Sequence, residues 1–298
     1  MSRHLHFEHS LWQLPVLLTL TLVVAASLYL RGWIQLRSAC VRVIPAWRAG
    51  SFFLGLFFVW TAAGSPLTAY DHSLLTVHMI KHLLLMTFAP LSILLGEPMK
   101  VLWGMTPLSA RNTLGRAWQR SLVQRLVRIV TSLVLCWTVS ALTLIAWHTP
   151  TLFALGVRSE IGHTAEQAMF FGTGILFWWP VIQPWPSTSS GPRWSLLLYL
   201  FLATLPCDIL SGFLVFSDRV AYPVYFSTPR LFGFSVLEDQ QCAAALMWTC
   251  VTLVYLVPAA IISLRLLAPR TSRGHDLQRP QFSGGPVPQS APRSLEVV

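Results

Sequence analysis

Apolar residues gather into seven long runs along the chain, approximately Trp12 to Leu30, Arg48 to Gly64, Leu74 to Leu95, Ile129 to Trp147, Ala165 to Ile182, Trp194 to Phe216 and Gln240 to Leu267. A bilayer core of roughly 30 Å takes about 20 helical residues to cross. Within that core no water satisfies backbone amides, so an apolar run of this length has to be helical. The pattern predicts an all-α integral membrane bundle of about seven transmembrane helices over residues 1–268. Residues 269–298 are rich in Pro, Gly, Ser and Arg with few large apolar side chains, too few to bury a core, and read as a disordered cytoplasmic tail.

Composition strengthens this picture. The chain is 54% hydrophobic and 11% charged, whereas soluble domains carry about 25% charged residues. A net charge of +10 would suggest nucleic acid if the basic residues formed a patch on a polar domain. Here they sit in short loops between apolar runs, so the expected partner is the lipid bilayer and no nucleic acid. Their distribution sets the orientation. Sixteen fall in Arg31–Arg48, Lys100–Arg128, the loop at Arg193 and the tail from Arg265, against four (Arg3, Arg158, Arg219 and Arg230) on the other side. The N-terminus is therefore expected outside and the C-terminus in the cytoplasm, a split that an odd number of helices also requires. A cleavable signal peptide fits the first run poorly, because positive charge follows it at Arg31.

No internal repeat, nucleotide-binding glycine loop or serine hydrolase elbow is visible. Between Thr106 and Arg128, leucine, tryptophan and valine alternate with five arginines, a pattern suited to a helix lying on an anionic leaflet or to a topology determinant alone. The cysteines, Cys40, Cys136, Cys207, Cys242 and Cys250, show no CxxC spacing and imply no disulfide framework.

The chemistry is one-sided. Eight of the nine histidines, His4, His6, His9, His72, His78, His82, His148 and His163, lie outside or in the outer half of a span, and only His275 is in the tail. Histidine is costly in hydrocarbon and faces a protein interior or cavity there. His78 and His82 share one face of the third helix about 6 Å apart along its axis, and Met86 continues the stripe. Imidazole suits copper, zinc and haem iron while thioether favours Cu(I), so the stripe resembles a site for a soft metal ion; the bland alternative is a histidine bonded to a neighbouring helix with Met86 as filler. Asp208 and His82 fall at similar depths, about 14 and 12 Å below the outer ends of their helices. A buried carboxylate needs a histidine, a lysine or a metal ion; Lys81 is the bland partner, able to pair with Asp208 or to snorkel to the outer surface. His148 ends the fourth run, His163 and Glu166 begin the fifth, and Asp239, Gln240, Gln241, Cys242 and Met247 begin the seventh. The candidate metal ligands are thus His78, His82, His148, His163, Met86 and Met247, supported by a polar layer of Asp208, Glu166, Asp239 and Lys81.

Several stretches resemble a known family. His78-Met79-Ile80-Lys81-His82-Leu83-Leu84-Leu85-Met86, with Ala89-Pro90 and Gly96-Glu97-Pro98 after it, is similar to the signature of the polytopic CtaG family of cytochrome c oxidase assembly factors. So are Trp147-His148-Thr149-Pro150, His163-Thr164-Ala165-Glu166, Phe177-Trp178-Trp179-Pro180-Val181, Tyr222-Pro223-Val224-Tyr225 and Glu238-Asp239-Gln240-Gln241 with Met247-Trp248. The match covers nearly the whole chain from the second run onward, and the single-span copper chaperone of the same name is a different protein. The resemblance implies a seven-helix, multi-pass protein of the bacterial inner membrane that helps assemble haem-copper oxidase by bringing copper to a metal centre. Its partners would be cytochrome c oxidase subunits and a periplasmic copper chaperone. The matching positions are His78, His82, His148, His163, Asp239 and Met247. Gln167 stands where a second histidine is expected, and Lys81 where a neutral polar residue is.

Two functions of different class follow as expectations. One is a non-enzymatic factor that binds copper transiently on the outer face and hands it on through exchangeable ligands such as Met79, Met86 and Met247. The other is a b-type haem protein for electron transfer or quinone oxidoreduction, with His82 and either His148 or His163 as axial ligands. A proton or metal transporter using Asp208 and Lys81 would need a polar route inward, and the inner halves of the runs carry almost no ionisable residue.

Overall fold

The computed structural model describes residues 15–39, 44–184, 192, 194–228 and 233–268. His4, His6, His9, Cys40, His275 and the expected tail lie outside the described residues. The chain divides into two units, 1–266 and 267–298, and the account that follows concerns the first.

Among the described residues every regular element is helical: α1 (Val16–Ala39), α2 (Ala46–Gly64), α3 (Leu67–Tyr70), α4 (Leu75–Leu83), a π turn (Leu84–Phe88), α5 (Ala89–Leu95), α6 (Pro98–Met105), α7 (Leu108–Trp118), α8 (Ser121–Val130), α9 (Leu133–Trp147), α10 (Pro150–Arg158), α11 (Glu160–Ile182), α12 (Trp194–Val215), a 3-10 turn (Pro223–Ser227) and α13 (Val236–Leu267). Five helices or continuous helical stretches are long and apolar enough to cross a membrane: α1, α2, α4 to α5, α12 and α13. The pair α8 and α9, bent by 47° between them, makes a sixth candidate. The fifth expected run forms the 23-residue α11, which is long enough but carries His163, Glu166, Gln167 and Pro180 and is not among the apolar candidates. Large apolar side chains such as Ile209, Phe213, Leu253 and Leu256 stay exposed along these helices, as they do when lipid covers them.

Three boundaries differ from the sequence reading. Helix α1 continues to Ala39, so Arg31 and Arg37 are helical and not in a loop; long basic side chains can leave a helix end toward the interface without ending it. The fourth run breaks at Thr131, and Ser132 caps α9 by accepting a hydrogen bond from the Leu135 N–H at 3.4 Å. The third run is α-helical except for the π turn just before Pro90, whose missing N–H and ring disrupt the regular ladder there.

Helix contact relies on close backbone approach where lipid supplies no hydrophobic drive between helices. A Cβ at Gly174 of α11 would run into the Met86 carbonyl of the π turn and lie 2.8 Å from Pro90 Cγ. Gly174→Val is therefore expected to separate α11 from the third span and lower the detergent thermal midpoint, a cost of about 2 kcal/mol or more. An unchanged midpoint would show that this contact is loose.

Candidate metal centre

The site is built from one end of the bundle, where the loop after α3, the start of α4, the end of α9, α10, the start of α11 and the 3-10 turn meet. The Asp239 carboxylate, on the first turn of α13, anchors the start of α4. It accepts hydrogen bonds from the Leu75 N–H (2.7 Å), the Thr76 N–H (3.1 Å) and the Thr76 hydroxyl (2.6 Å). These are first-turn amides with no partner inside their own helix, so a carboxylate is well matched to them.

That anchor directs His78, Lys81 and His82 into the interior. The His78 Nδ1–H donates to Asp71 Oδ1 at 2.6 Å, which orients the ring and turns Nε2 toward Glu166. His78 Nε2 lies 3.6 Å and His82 Nε2 3.5 Å from the same oxygen of Glu166, Oε1. None of these three atoms has a hydrogen-bond partner, and all three residues are buried. One ligand atom from each lies within 4.8 Å of the others. A metal ion bonded at about 2 Å would need only small side-chain rotations to collect them. Buried polar atoms without hydrogen bonds are costly in an apolar surround, and three that converge in this way could hold a metal ion.

His148 caps the end of α9, and its Nδ1–H donates to the Leu144 carbonyl at 2.7 Å. Its Nε2 is buried and unpartnered, and its ring centroid is 6.0 Å from that of His82. Beneath these two imidazoles is a cavity of about 40 Å³, room for a few water-sized occupants. Met79, Met86, Cys207 and Met247 line it with His82 and His148, so Met86 of the stripe shares the cavity with His82, and Met247 of α13 and Cys207 of α12 border it as well. Phe170, 4.2 Å from the His82 ring, walls the site on one side, and Phe153, 5.0 Å from His78, walls it on another.

His163 stands at the mouth. Its side chain is 19% exposed, its ring is 5.6 Å from that of exposed His72, and Gln167 Nε2 is 2.6 Å from its Nε2. Gln167 therefore contacts a histidine of the site.

The expected pairing of Lys81 with Asp208 is not what the structure holds. Buried Lys81 pairs with Asp71, and its Nζ is 3.2 Å from His163 Nε2. Asp71, which the sequence reading passed over, lies in the loop before α4 and reaches both His78 and Lys81, seven and ten residues on. Burial acts to raise its pKa, but His78, Lys81 and His163 outweigh burial and hold the carboxyl well below the usual range. Burial instead pushes the neighbouring His72 down. Asp208 is only partly buried, with one carboxylate oxygen lacking a hydrogen-bond partner among the described residues. Asp239 belongs to the anchor of α4 and makes no contact of its own with the imidazoles among those described.

Gly156 on α10 makes room for Glu166. A Cβ there would lie 2.7 Å from Glu166 Oε2. Gly156→Ala is expected to displace the carboxylate and weaken metal binding about 10-fold or more. A titration of the purified variant with metal checks this; unaltered affinity would remove Glu166 from the ligand set.

An all-helical membrane protein with imidazoles and a carboxylate gathered at one end of the bundle is the class that fold and site define. The chain belongs to the cytochrome c oxidase caa3 assembly factor family (Caa3_CtaG), whose family model matches residues 27–268. It is 28% identical over 271 residues to uncharacterized proteins of Mycobacterium bovis and Mycobacterium tuberculosis, an alignment that covers 85% of this chain and 39% of each relative. A Mycobacterium leprae protein, also uncharacterized, is 24% identical over 274 residues, covering 89% of this chain and 40% of that one. The chain thus spans about two fifths of the length of these relatives. No solved structure matches it.

Proposed function

We propose that the protein is a non-catalytic copper-handling factor in the assembly of a haem-copper cytochrome c oxidase. Copper is its cargo, taken up transiently at the outer face of a bacterial plasma membrane and passed to an oxidase subunit, with a periplasmic copper chaperone as donor. The observation that carries this reading is the convergence of His78 Nε2, His82 Nε2 and Glu166 Oε1, each buried and unpartnered, at the polar end of a membrane bundle. Seven spans with that end outward is the arrangement it assumes.

The arrangement suits uptake and release. His72 and His163 present imidazole at the entrance, the His78–His82–Glu166 set holds the ion, and His148 with Met86, Met247 and Cys207 offers softer donors below. No closed cysteine cage traps the ion, so ligands can exchange one at a time. The haem reading has less support. A porphyrin requires a pocket on the order of several hundred Å³, whereas the cavity beneath His82 and His148 is about 40 Å³ and Phe170 packs at 4.2 Å on the His82 ring.

Removing the gene from its host is expected to lower the copper content of the purified oxidase while its polypeptide is still made, and excess copper in the medium should partly restore it. An oxidase with full copper occupancy in the deletion strain would contradict the proposal.

A further inference from the structure

The buried ionisable groups around the ligand set define a charge, and the charge selects an ion. Asp71 and Glu166 are 1% and 0% exposed, and Lys81, paired with Asp71, is 1% exposed. Metal-ligating histidines are neutral, and His163 at the mouth is counted as neutral too, because its Nε2 lies 3.2 Å from the Lys81 ammonium, which can only donate. Two carboxylates and one ammonium leave a net charge of −1 in a buried site walled by Phe153 and Phe170. Other charges nearby are compensated or outside it: Asp239 is taken up by the first amides of α4, Asp208 is only partly buried, and Arg158 and Glu160 are exposed. One monovalent cation brings the buried set to neutrality, whereas a divalent one leaves an uncompensated positive charge, which is costly away from water.

We infer that Lys81 tunes the site to a monovalent ion, Cu(I), and turns away divalent ions such as Zn(II), by standing beside Asp71 as a built-in cation. The inference rests on the copper reading and adds the oxidation state and the residue that sets it. Its geometry favours this role: Lys81 Nζ contacts Asp71 on the carboxylate oxygen opposite the one that orients His78, so the ammonium neutralises charge without occupying a ligand position. A two-histidine, one-carboxylate set without such a lysine is a donor set that divalent ions accept readily. Lys81 is therefore a specificity-determining residue and not a ligand.

The test is competition in full-length detergent-purified protein, with Cu(I) supplied under reductant at fixed free concentration beside Zn(II), and bound metal read by elemental analysis. Wild type should retain copper and little zinc. Lys81→Met should shift the zinc-to-copper ratio toward zinc by at least 10-fold, and Lys81→Gln, which can still donate to Asp71, makes the same charge change should the first variant fail to fold. Adding Asp71→Asn to Lys81→Met returns the net charge to −1 and should restore the wild-type preference, a rescue that a merely structural ion pair would not give. A ratio unchanged in the single variants, or a double variant that behaves like them, overturns the inference while leaving copper binding intact. A wild type that takes zinc as readily as Cu(I) overturns it too. Failure of wild type to bind copper at all overturns the copper reading and the inference together.

Discussion

Protein carrying both His78→Ala and His82→Ala is expected to purify as a folded bundle that holds no stoichiometric copper, and cells relying on it should assemble oxidase as poorly as the deletion strain. The two imidazoles supply two of the three converging unpartnered ligand atoms, and Glu166 alone cannot replace them. Loss of an outer-shell partner alone weakens metal sites about 10- to 100-fold, so removal of two direct ligands should cost on the order of 1,000-fold or more. Folding should survive, because Asp71 keeps Lys81 and His163 as partners when His78 is gone. His72→Ala, which alters an exposed ring at the mouth, should retain copper. Equal copper in the double variant and wild type would move the site elsewhere.

Asp239→Ala is expected to have the largest effect on stability. Its carboxylate accepts three hydrogen bonds from Leu75 and Thr76 across 163 to 164 residues of sequence. Truncation leaves buried donors unmatched at the start of α4, about 3 kcal/mol or more. Because the same turn positions His78, the variant should lose copper affinity as well as thermal stability, and Asp239→Asn, with one carbonyl to offer, should fall between. Thermal unfolding and copper titration of the same preparations measure both, and a stable variant with weak copper binding would mean that Asp239 acts on the metal directly.

How much of this was legible in the sequence depended on the range of the interaction. Apolar length is a local property, so the runs forming α2, α12 and α13 could be read to within a few residues. The spacing of His78, His82 and Met86 gave a shared helix face, and His82 and Met86 do meet on one cavity. Depth arithmetic could not give Lys81 its partner, because rise per residue fixes height and says nothing of the direction a side chain takes around the helix; Lys81 pairs with Asp71 and not with Asp208. Asp71 was missed because a Tyr70-Asp71-His72 turn looks like any polar loop. The available signal was its place seven residues before His78 and ten before Lys81, just ahead of the helix, from which a carboxylate can fold back over the first turns. The role of Gly156 could not be seen at all, since it depends on α10 packing against Glu166 of α11.

The central claim is tested most directly by measuring copper and haem on one sample of purified wild-type protein, prepared under reductant in chelator-free buffers, by elemental analysis and visible absorbance. About one copper ion per chain with no Soret band is the result expected. A Soret band with haem in place of copper, or neither metal nor haem after copper loading, would contradict it.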